Sequence, residues 1–223
     1  MGQGFFVTGT DTGIGKTLVA AALLRRWREL GWRVGAMKPV ASGCRPTPEG
    51  LRNADAESLR AECTLPLPYA RINTYAFEPP IAPHIAAAEA GEEIRLAPLV
   101  ERCRQLSSEC DRFVVEGVGG WCVPLGDALT TVDLARELAC PVIVVVGLRL
   151  GCLNHALLTV ESIRHCGLTM AGWVANTADP ACERQAALVA TLERRWGCAP
   201  LGRIPWLEDP SSQHAAVHLS NLP

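Results

Sequence analysis

A glycine-rich turn between an apolar run and a helix constrains the fold more than any other feature of the chain. The run Phe5-Phe6-Val7 leads into Gly9-Thr10-Asp11-Thr12-Gly13-Ile14-Gly15-Lys16-Thr17, and helical spacing begins at Lys16. In such a loop, backbone N–H groups, the helix dipole, a lysine ammonium and a hydroxyl that ligates Mg²⁺ hold polyphosphate. We therefore predict that residues 9–17 bind the phosphates of a nucleotide.

The spacing of this loop departs by one residue from the general pattern. Four residues usually separate the first glycine from Gly-Lys-Thr, whereas five separate Gly9 from Gly15. A plain connecting turn would leave Lys16 unexplained, and a dinucleotide fingerprint would need a third small residue where Leu18 stands. We therefore assign the loop to a variant class of phosphate loops.

The two lysines of the chain favour a shared anion site. Of 21 cationic residues only Lys16 and Lys38 are lysines, which indicates a need for a compact ammonium at both places. Lys38 follows the predicted strand 32–37, and we expect Pro39 to end the regular pairing there. Ligands bind at the carboxyl edge of open parallel sheets. Because Lys16 follows the first strand at the same edge, both ammonium groups are expected to converge on one anion.

Composition predicts a single cytoplasmic domain. The chain has 223 residues, 48% of them apolar and 20% charged, which suits one core of ordinary size. A net charge of −2 argues against nucleic acid or an anionic membrane as a partner. No apolar run is long enough to cross a membrane, and the first residues lack the basic region of a signal peptide. We also expect reduced thiols for the ten scattered cysteines and a frayed tail after about residue 210.

Strands and helices alternate along residues 1–223, which predicts one α/β domain. The pattern indicates a P-loop NTPase-like fold with a mostly parallel β-sheet and helices on both faces. Further strands are predicted at 113–115, 141–147 and 171–176, and 200–207 is predicted to be a strand and a loop. Helices are predicted at 16–30, 56–63, 85–90, 96–110, 131–139, 156–166 and 180–196. The proline-rich stretch 66–84 is predicted to be a loop at the ligand edge, without a strand.

Polar residues that follow the predicted strands are candidates for the site. Glu116 ends the strand 113–115 before a run of glycines, and such an acid suits magnesium binding. Asn53 or Asp55 could cap the short helix 56–63. Asp55 could instead contact magnesium or the nucleotide, but the local sequence favours the cap. Free N–H groups in the loop Gly151 to Asn154 suit a carboxylate, and the Asn176 amide suits an adenine edge.

Four motifs in register produce a resemblance to a known family. They are the loop Thr8 to Thr17, Lys38-Pro39-Val40-Ala41-Ser42-Gly43, Glu116-Gly117-Val118-Gly119-Gly120 and Gly172-Trp173-Val174-Ala175-Asn176. With them the chain resembles the dethiobiotin synthetases over nearly its whole length. The resemblance implies an ATP- and Mg²⁺-dependent cyclo-ligase of biotin biosynthesis. It would join 7,8-diaminononanoate (diaminopelargonate) with CO2, supplied as bicarbonate, and yield dethiobiotin, ADP and phosphate.

The resemblance also implies roles for individual residues. Lys16 would neutralise the β- and γ-phosphates of ATP, and Lys38 would hold a carbamate and the phosphoryl group in transfer. Magnesium would be held by Thr17, Asp55 and Glu116, which overturns the local preference for Asp55 as a cap. The implied ATP-binding positions are Gly13, Ile14, Gly15, Lys16, Thr17, Leu18, Asp55, Glu116, Gly117, Val118, Gly119, Asn176, Thr177, Pro205, Trp206 and Leu207. The implied substrate-binding positions are Ser42 and, across the interface of a homodimer, Gly151, Cys152, Leu153 and Asn154.

Two departures and two rival classes qualify this interpretation. Gly13 stands where some relatives carry a glutamate, so a role of that acid does not transfer. Thr177 stands where an aspartate can occur, which leaves the selectivity for the nucleotide open. A ParA- or MinD-like partitioning ATPase would carry a signature lysine where this chain has Asp11. A cobalamin-type amidoligase would need an added glutaminase domain, for which we expect no room after residue 210.

Overall fold

A seven-stranded parallel sheet runs through the centre of the protein, whose residues 1–223 are described by a computed structural model. The nine strands are β1 Gln3–Gly9, β2 Val34–Ala41, β3 Arg45–Thr47, β4 Gly50–Arg52, β5 Asn73–Ala76, β6 Arg112–Glu116, β7 Val142–Gly147, β8 Met170–Asn176 and β9 Gly202–Ile204. Strands β3 and β4 form a separate antiparallel hairpin. The other seven pair in parallel in the order β5-β2-β6-β1-β7-β8-β9. The predicted α/β fold is confirmed.

Helices bury both faces of this sheet. They are α1 Lys16–Glu29, α2 Ala54–Glu62, α3 Tyr69–Ile72, α4 Pro83–Glu89, α5 Leu96–Glu109, α6 Thr131–Leu138, α7 Cys152–His165, α8 Gln185–Trp196 and α9 Ser212–Ala216. Alternate residues of β1 enter different apolar clusters: Phe5 and Val7 join that of α1, and Phe6 joins that of α5 and α7. Because both faces are covered, the central strands read as continuous apolar runs.

The strand order places a crevice at the carboxyl end of β1. From β1 the chain passes through α1 to β2, beyond the position of β6, whereas β7 lies on the other side of β1. Such a reversal of direction opens the carboxyl edge of a parallel sheet to a ligand. The loop after β1 therefore lies at the crevice where this topology leaves room for a nucleotide.

The stretch 66–84 departs from its prediction as a loop. Residues Asn73–Ala76 form the edge strand β5, which pairs with the second half of β2. Pro39 lies inside β2 and does not end the pairing, which continues to Ala41. The register explains why a proline is tolerated here: β2 pairs with β6 only as far as Met37, so no N–H is needed on that side beyond this point.

Four helix starts differ from the sequence prediction, those of α2 and α4 by two residues and those of α7 and α8 by more. Helix α7 begins at Cys152 and not at residue 156, so the segment predicted as a loop is its first turn. Helix α8 begins at Gln185 and not at residue 180. None of the nine helices combines the length and apolarity that crossing a membrane requires. All ten cysteines are free thiols, as expected.

The expectation of a frayed tail is wrong. Residues Ser212–Ala216 form α9, and its buried Ala215 and Ala216 join the apolar cluster of α1. The side chain of Ser212 donates to Glu62 Oε1 at 2.5 Å. Glu62 is buried and also forms ion pairs with Arg28 at 2.8 Å and Arg25 at 3.5 Å. A buried carboxylate thus ties the tail to α1 and α2.

Replacement of Glu62 tests this anchor. We expect Glu62→Ala to lower the free energy of unfolding by about 2 kcal/mol, because it removes several hydrogen bonds to a buried charge. The matched control is Glu57→Ala, which breaks the exposed pair with Arg45 and should cost less than about 1 kcal/mol. Urea denaturation of both variants measures the difference, and equal losses would contradict the anchoring role.

Candidate active site

The phosphate loop depends on glycines with left-handed backbone conformations. Gly13 has φ of 71° and Gly15 has φ of 88°, a region that other residues adopt only with strain. Gly15 caps the N-terminus of α1, and a Cβ there would lie 2.3 Å from Asn176 Nδ2. Two of the loop's glycines are therefore required for backbone geometry, and Gly15 also for space.

Lys16 lies folded back onto its own loop. Its ammonium donates to the Asp11 carbonyl oxygen at 2.9 Å, and the side chain is 7% exposed. Burial, reinforced by repulsion from Lys38, lowers the pKa of Lys16 to about 8. An anion would stabilise the Lys16 ammonium more than the neutral backbone carbonyl does, because charge-assisted hydrogen bonds are stronger.

Lys38 is the centre of a buried charge cluster. Its Nζ lies 2.5 Å from Glu116 Oε1, 3.0 Å from Asp55 Oδ2 and 3.2 Å from the Gly117 carbonyl oxygen. Burial disfavours the ammonium, but attraction to Glu116 and Asp55 outweighs it and raises the pKa of Lys38. In turn, burial disfavours the Asp55 carboxylate, and Lys38 overcomes this and lowers the pKa of Asp55. Lys38 and Asp55 are therefore both charged at neutral pH.

The two alternatives for Asp55 are separated by its neighbour Asn53. The Asn53 side chain caps α2 by accepting hydrogen bonds from the N–H groups of Asp55 at 3.1 Å and Ala56 at 3.3 Å. This frees the Asp55 carboxylate to face Lys38. The capping role that local sequence favoured for Asp55 is wrong, and Asn53 performs it.

The residues expected to hold magnesium lie together, and one of their oxygens has no hydrogen-bond partner. The Thr17 hydroxyl donates to Glu116 Oε1 at 2.8 Å. Glu116 is fully buried, and its second oxygen, Oε2, has no hydrogen-bond partner. A buried carboxylate oxygen without a partner is costly unless a cation or donor satisfies it. Together with the half-exposed Asp55, this set of hard oxygen donors fits Mg²⁺.

A cavity of about 700 Å³ joins these groups. Among the predicted residues it is lined by Gly13, Gly15, Lys16, Thr17, Lys38, Ser42, Asp55, Glu116, Val118 and Gly119. The Ser42 hydroxyl is buried without a hydrogen-bond partner, so it is free for a ligand. Residues 80–83, from the proline-rich stretch that was expected at this edge, also line the cavity.

The other predicted residues lie outside this cavity. Ile14 and Gly117 belong to the loops that line it, and Leu18 lies in the first turn of α1. Asn176 ends β8 and the buried Thr177 follows it, next to Pro205, Trp206 and Leu207 after β9. Trp206 is 50% exposed.

Residues Gly151, Cys152, Leu153 and Asn154 lie apart from the cavity, at the start of α7. Leu150 beside them is 100% exposed, and the N–H groups of Leu153 and Asn154 have no backbone partner. The first turn of a helix with free N–H groups suits a carboxylate. This turn does not line the cavity of the same chain.

Sequence reasoning missed one cation at the loop. Arg149, in the connection after β7, forms an ion pair with the Asp11 carboxylate. Asp11 also accepts a hydrogen bond from the Thr12 N–H at 2.7 Å. No local pattern marks Arg149, since the chain carries arginines throughout; only the adjacency of β1 and β7 brings it to the loop.

A phosphate loop at the switch point of a parallel sheet, with a lysine and two acids converging on it, defines a nucleotide-binding protein of the P-loop class. Comparisons with known proteins support this class. The family described as "AAA domain" matches residues 3–214. A chain of the MinC:MinD cell division protein complex from Aquifex aeolicus has a TM-score of 0.59 at 14% identity, covering 97% of this chain and 92% of its own length. A ParA family ATPase from Chlorobium tepidum has a TM-score of 0.57 at 14% identity, covering 100% and 92%. At this identity the two structures show the fold alone.

Sequence relatives are more specific. An ATP-dependent dethiobiotin synthetase of Pseudomonas aeruginosa (strain UCBPP-PA14) is 53% identical over 220 residues, 98% of this chain and 96% of that protein. The ATP-dependent dethiobiotin synthetase BioD 1 of Escherichia coli K12 is 45% identical over 222 residues, 100% and 99% of the two chains. The chain belongs to the dethiobiotin synthetase family, which confirms the resemblance seen in its motifs.

The lowered pKa of Lys16 predicts how nucleotide affinity depends on pH. Polyphosphate binds the protonated lysine, so affinity should be full below pH 8 and fall by up to about tenfold per pH unit above it. The matched control is Lys16→Arg, whose guanidinium stays charged throughout this range. Titration calorimetry with ATP and Mg²⁺ between pH 7 and 9.5 measures both proteins. An equal decline in the two would exclude Lys16 as the titrating group.

Proposed function

We propose that this protein is a Mg²⁺- and ATP-dependent cyclo-ligase that converts 7,8-diaminononanoate and CO2 to dethiobiotin in biotin biosynthesis, in the cytoplasm. Family membership supports the reaction. The observation that carries it in the structure is the meeting of the chain's two lysines in one cavity, where repulsion from Lys38 helps to lower the pKa of Lys16. One lysine suffices to bind a nucleotide, and a second buried one suits a further anion that forms beside the γ-phosphate.

The reaction forms oxyanions at each stage. One amine of the substrate attacks CO2 and releases a proton, which leaves a carbamate. A carbamate oxygen then attacks the γ-phosphorus of ATP, and ADP leaves. Finally the second amine attacks the carbonyl carbon of the mixed anhydride, loses its proton and expels phosphate, which closes the ureido ring. Groups that stabilise these anions lower the barrier most when they are already oriented.

Lys38 is the group placed to bind the carbamate. Its three N–H donors are occupied by Glu116, Gly117 and Asp55, so a carbamate must replace one of them. Asp55 is the partner able to turn away, since its side chain is 45% exposed and that of Glu116 is fully buried. Ser42, with its unpaired hydroxyl on the cavity wall, would orient the substrate.

Thr17, Asp55 and Glu116 would hold the metal ion. When bound, Mg²⁺ neutralises charge on the β- and γ-phosphates during phosphoryl transfer. The unpaired Glu116 Oε2 supports this assignment, because an ion would satisfy it. Lys16 would exchange the Asp11 carbonyl for phosphate oxygens, which converts a neutral partner into a charged one.

A homodimer would complete each site. Among the residues that line the cavity of one chain, Lys16 and Lys38 are the only cations, and both are assigned to phosphate and carbamate, which leaves no cation for the carboxylate of diaminononanoate. The free N–H groups at the start of α7, beside the fully exposed Leu150, supply such a group on another face. We infer that Gly151, Cys152, Leu153 and Asn154 of one subunit bind the substrate of the other.

Lys38→Ala tests the proposed chemistry. We expect turnover to fall at least about 100-fold, or about 3 kcal/mol, the effect of losing one oriented transition-state contact. The assay supplies diaminononanoate, ATP and labelled bicarbonate, follows ADP release and looks for the label in a ureido ring by mass spectrometry. Binding of ATP by the variant serves as the control for folding, since Glu116 loses its buried partner.

The outcomes of this assay are distinct. Normal turnover of Lys38→Ala would remove Lys38 from the mechanism. Absence of substrate-dependent ADP release by the parent protein would reject the proposed reaction itself.

Mixing two inactive variants tests the shared site. Lys38→Ala damages the cavity, and Asn154→Pro damages the N–H groups at the start of α7. If each site needs both subunits, co-refolded heterodimers contain one intact site, and activity should recover to about a quarter of the parent value. Each variant refolded alone is the control. No recovery in a confirmed heterodimer would place both groups in the same subunit's site.

A further inference from the structure

The Asn176 side chain forms a hydrogen bond to the backbone of the phosphate loop. Its amide Nδ2 donates to the Ile14 carbonyl oxygen at 2.8 Å, although 162 positions separate the two residues. Asn176 is 5% exposed and ends β8, where it pairs with Gly147 of β7 and Ile204 of β9. Its own carbonyl accepts the Leu148 N–H at 2.8 Å. The amide is therefore fixed to three strands of the sheet.

The peptide bond that Asn176 contacts lies where the loop changes direction. Ile14 is followed by Gly15, which has φ of 88° and caps α1. In a planar trans peptide the C=O and N–H groups point in opposite directions, so holding the Ile14 carbonyl also directs the Gly15 N–H. Gly15 lines the cavity, and Asn176 does not. The hydrogen bond thus keeps a loop N–H directed away from the sheet and toward the cavity.

The Asn176 amide packs directly against Gly15. A Cβ on Gly15 would lie 2.3 Å from Asn176 Nδ2, so the amide fills the space that the glycine leaves. The Asn176 amide oxygen accepts no hydrogen bond within the chain, and it is not among the buried unpaired atoms. It therefore remains accessible to a donor such as the exocyclic amino group of a purine.

We propose that Asn176 is a positioning residue for the phosphate loop, acting through Ile14, in addition to the base contact expected of it. A single amide would then read the base with its oxygen and set the direction of a phosphate-binding N–H with its nitrogen. The proposal rests on the proposed function only in that the loop binds a nucleotide. The effect of Asn176 on the loop itself is present without any ligand.

Hydrogen exchange of the ligand-free protein tests the positioning role. We expect the amides of residues 10–17 to exchange about fivefold faster or more in Asn176→Ala, because the loop loses one buried hydrogen bond. Asn176→Asp keeps the side-chain volume but lacks the donor at neutral pH, and should show the same acceleration. Trp206→Ala, at the expected base site, and Glu62→Ala, which weakens the tail, are controls that should leave loop exchange unchanged.

Binding of magnesium tripolyphosphate, a ligand without a base, provides the second measurement. Asn176→Ala should weaken it several-fold, whereas Trp206→Ala should weaken only ADP. Unchanged loop exchange in both Asn176 variants, or unchanged tripolyphosphate affinity with weakened ADP, would overturn the proposal and leave Asn176 as a base contact alone. Failure of the proposed cyclo-ligase reaction would instead appear as absent ADP release in the parent protein, with the exchange result unaffected.

Discussion

A buried ammonium between two carboxylates is the interaction on which the site depends. Lys38 is 3% exposed, and an isolated charge at such a place would be neutralised or exposed. Glu116 and Asp55 keep it charged, and they come from separate elements, β6 and the first turn of α2. The cluster therefore forms only when β2 and β6 are adjacent and α2 has its start set by Asn53.

The same cluster joins the two halves of the proposed reaction. Glu116 Oε1 accepts both from Lys38 and from the Thr17 hydroxyl at the start of α1. Lys38, the lysine proposed to bind the carbamate, is therefore linked to Thr17 of the phosphate loop through one shared oxygen. A movement of the Thr17 hydroxyl would change the hydrogen bonding of Lys38. Charge-assisted hydrogen bonds of this kind are strong and directional, and partners that share one must adjust together.

Support of the loop comes from both flanks of β1. On one side β6 and its glycines lie beside the loop, and on the other β7 and β8 supply Arg149 and Asn176. A loop that binds polyphosphate through its N–H groups leaves most of its own backbone unpaired. Contacts from neighbouring strands are what hold it in a binding conformation before a ligand arrives.

The residues that carry chemistry were readable in the chain because their types are rare or their spacing is restricted. Gly15 and Lys16 mark the loop, and an acid after an apolar strand marks Glu116, so loop, class and most of the sheet follow from local pattern. The role of Asp55 did not, because a capping Asn53 two residues earlier is equally plausible by propensity. The edge strand β5, the docking of the tail through Glu62, and the positions of Arg149 and Asn176 against the loop were decided by tertiary structure. Each depends on contacts between residues far apart in the chain, which pairing and burial select and which local sequence does not encode.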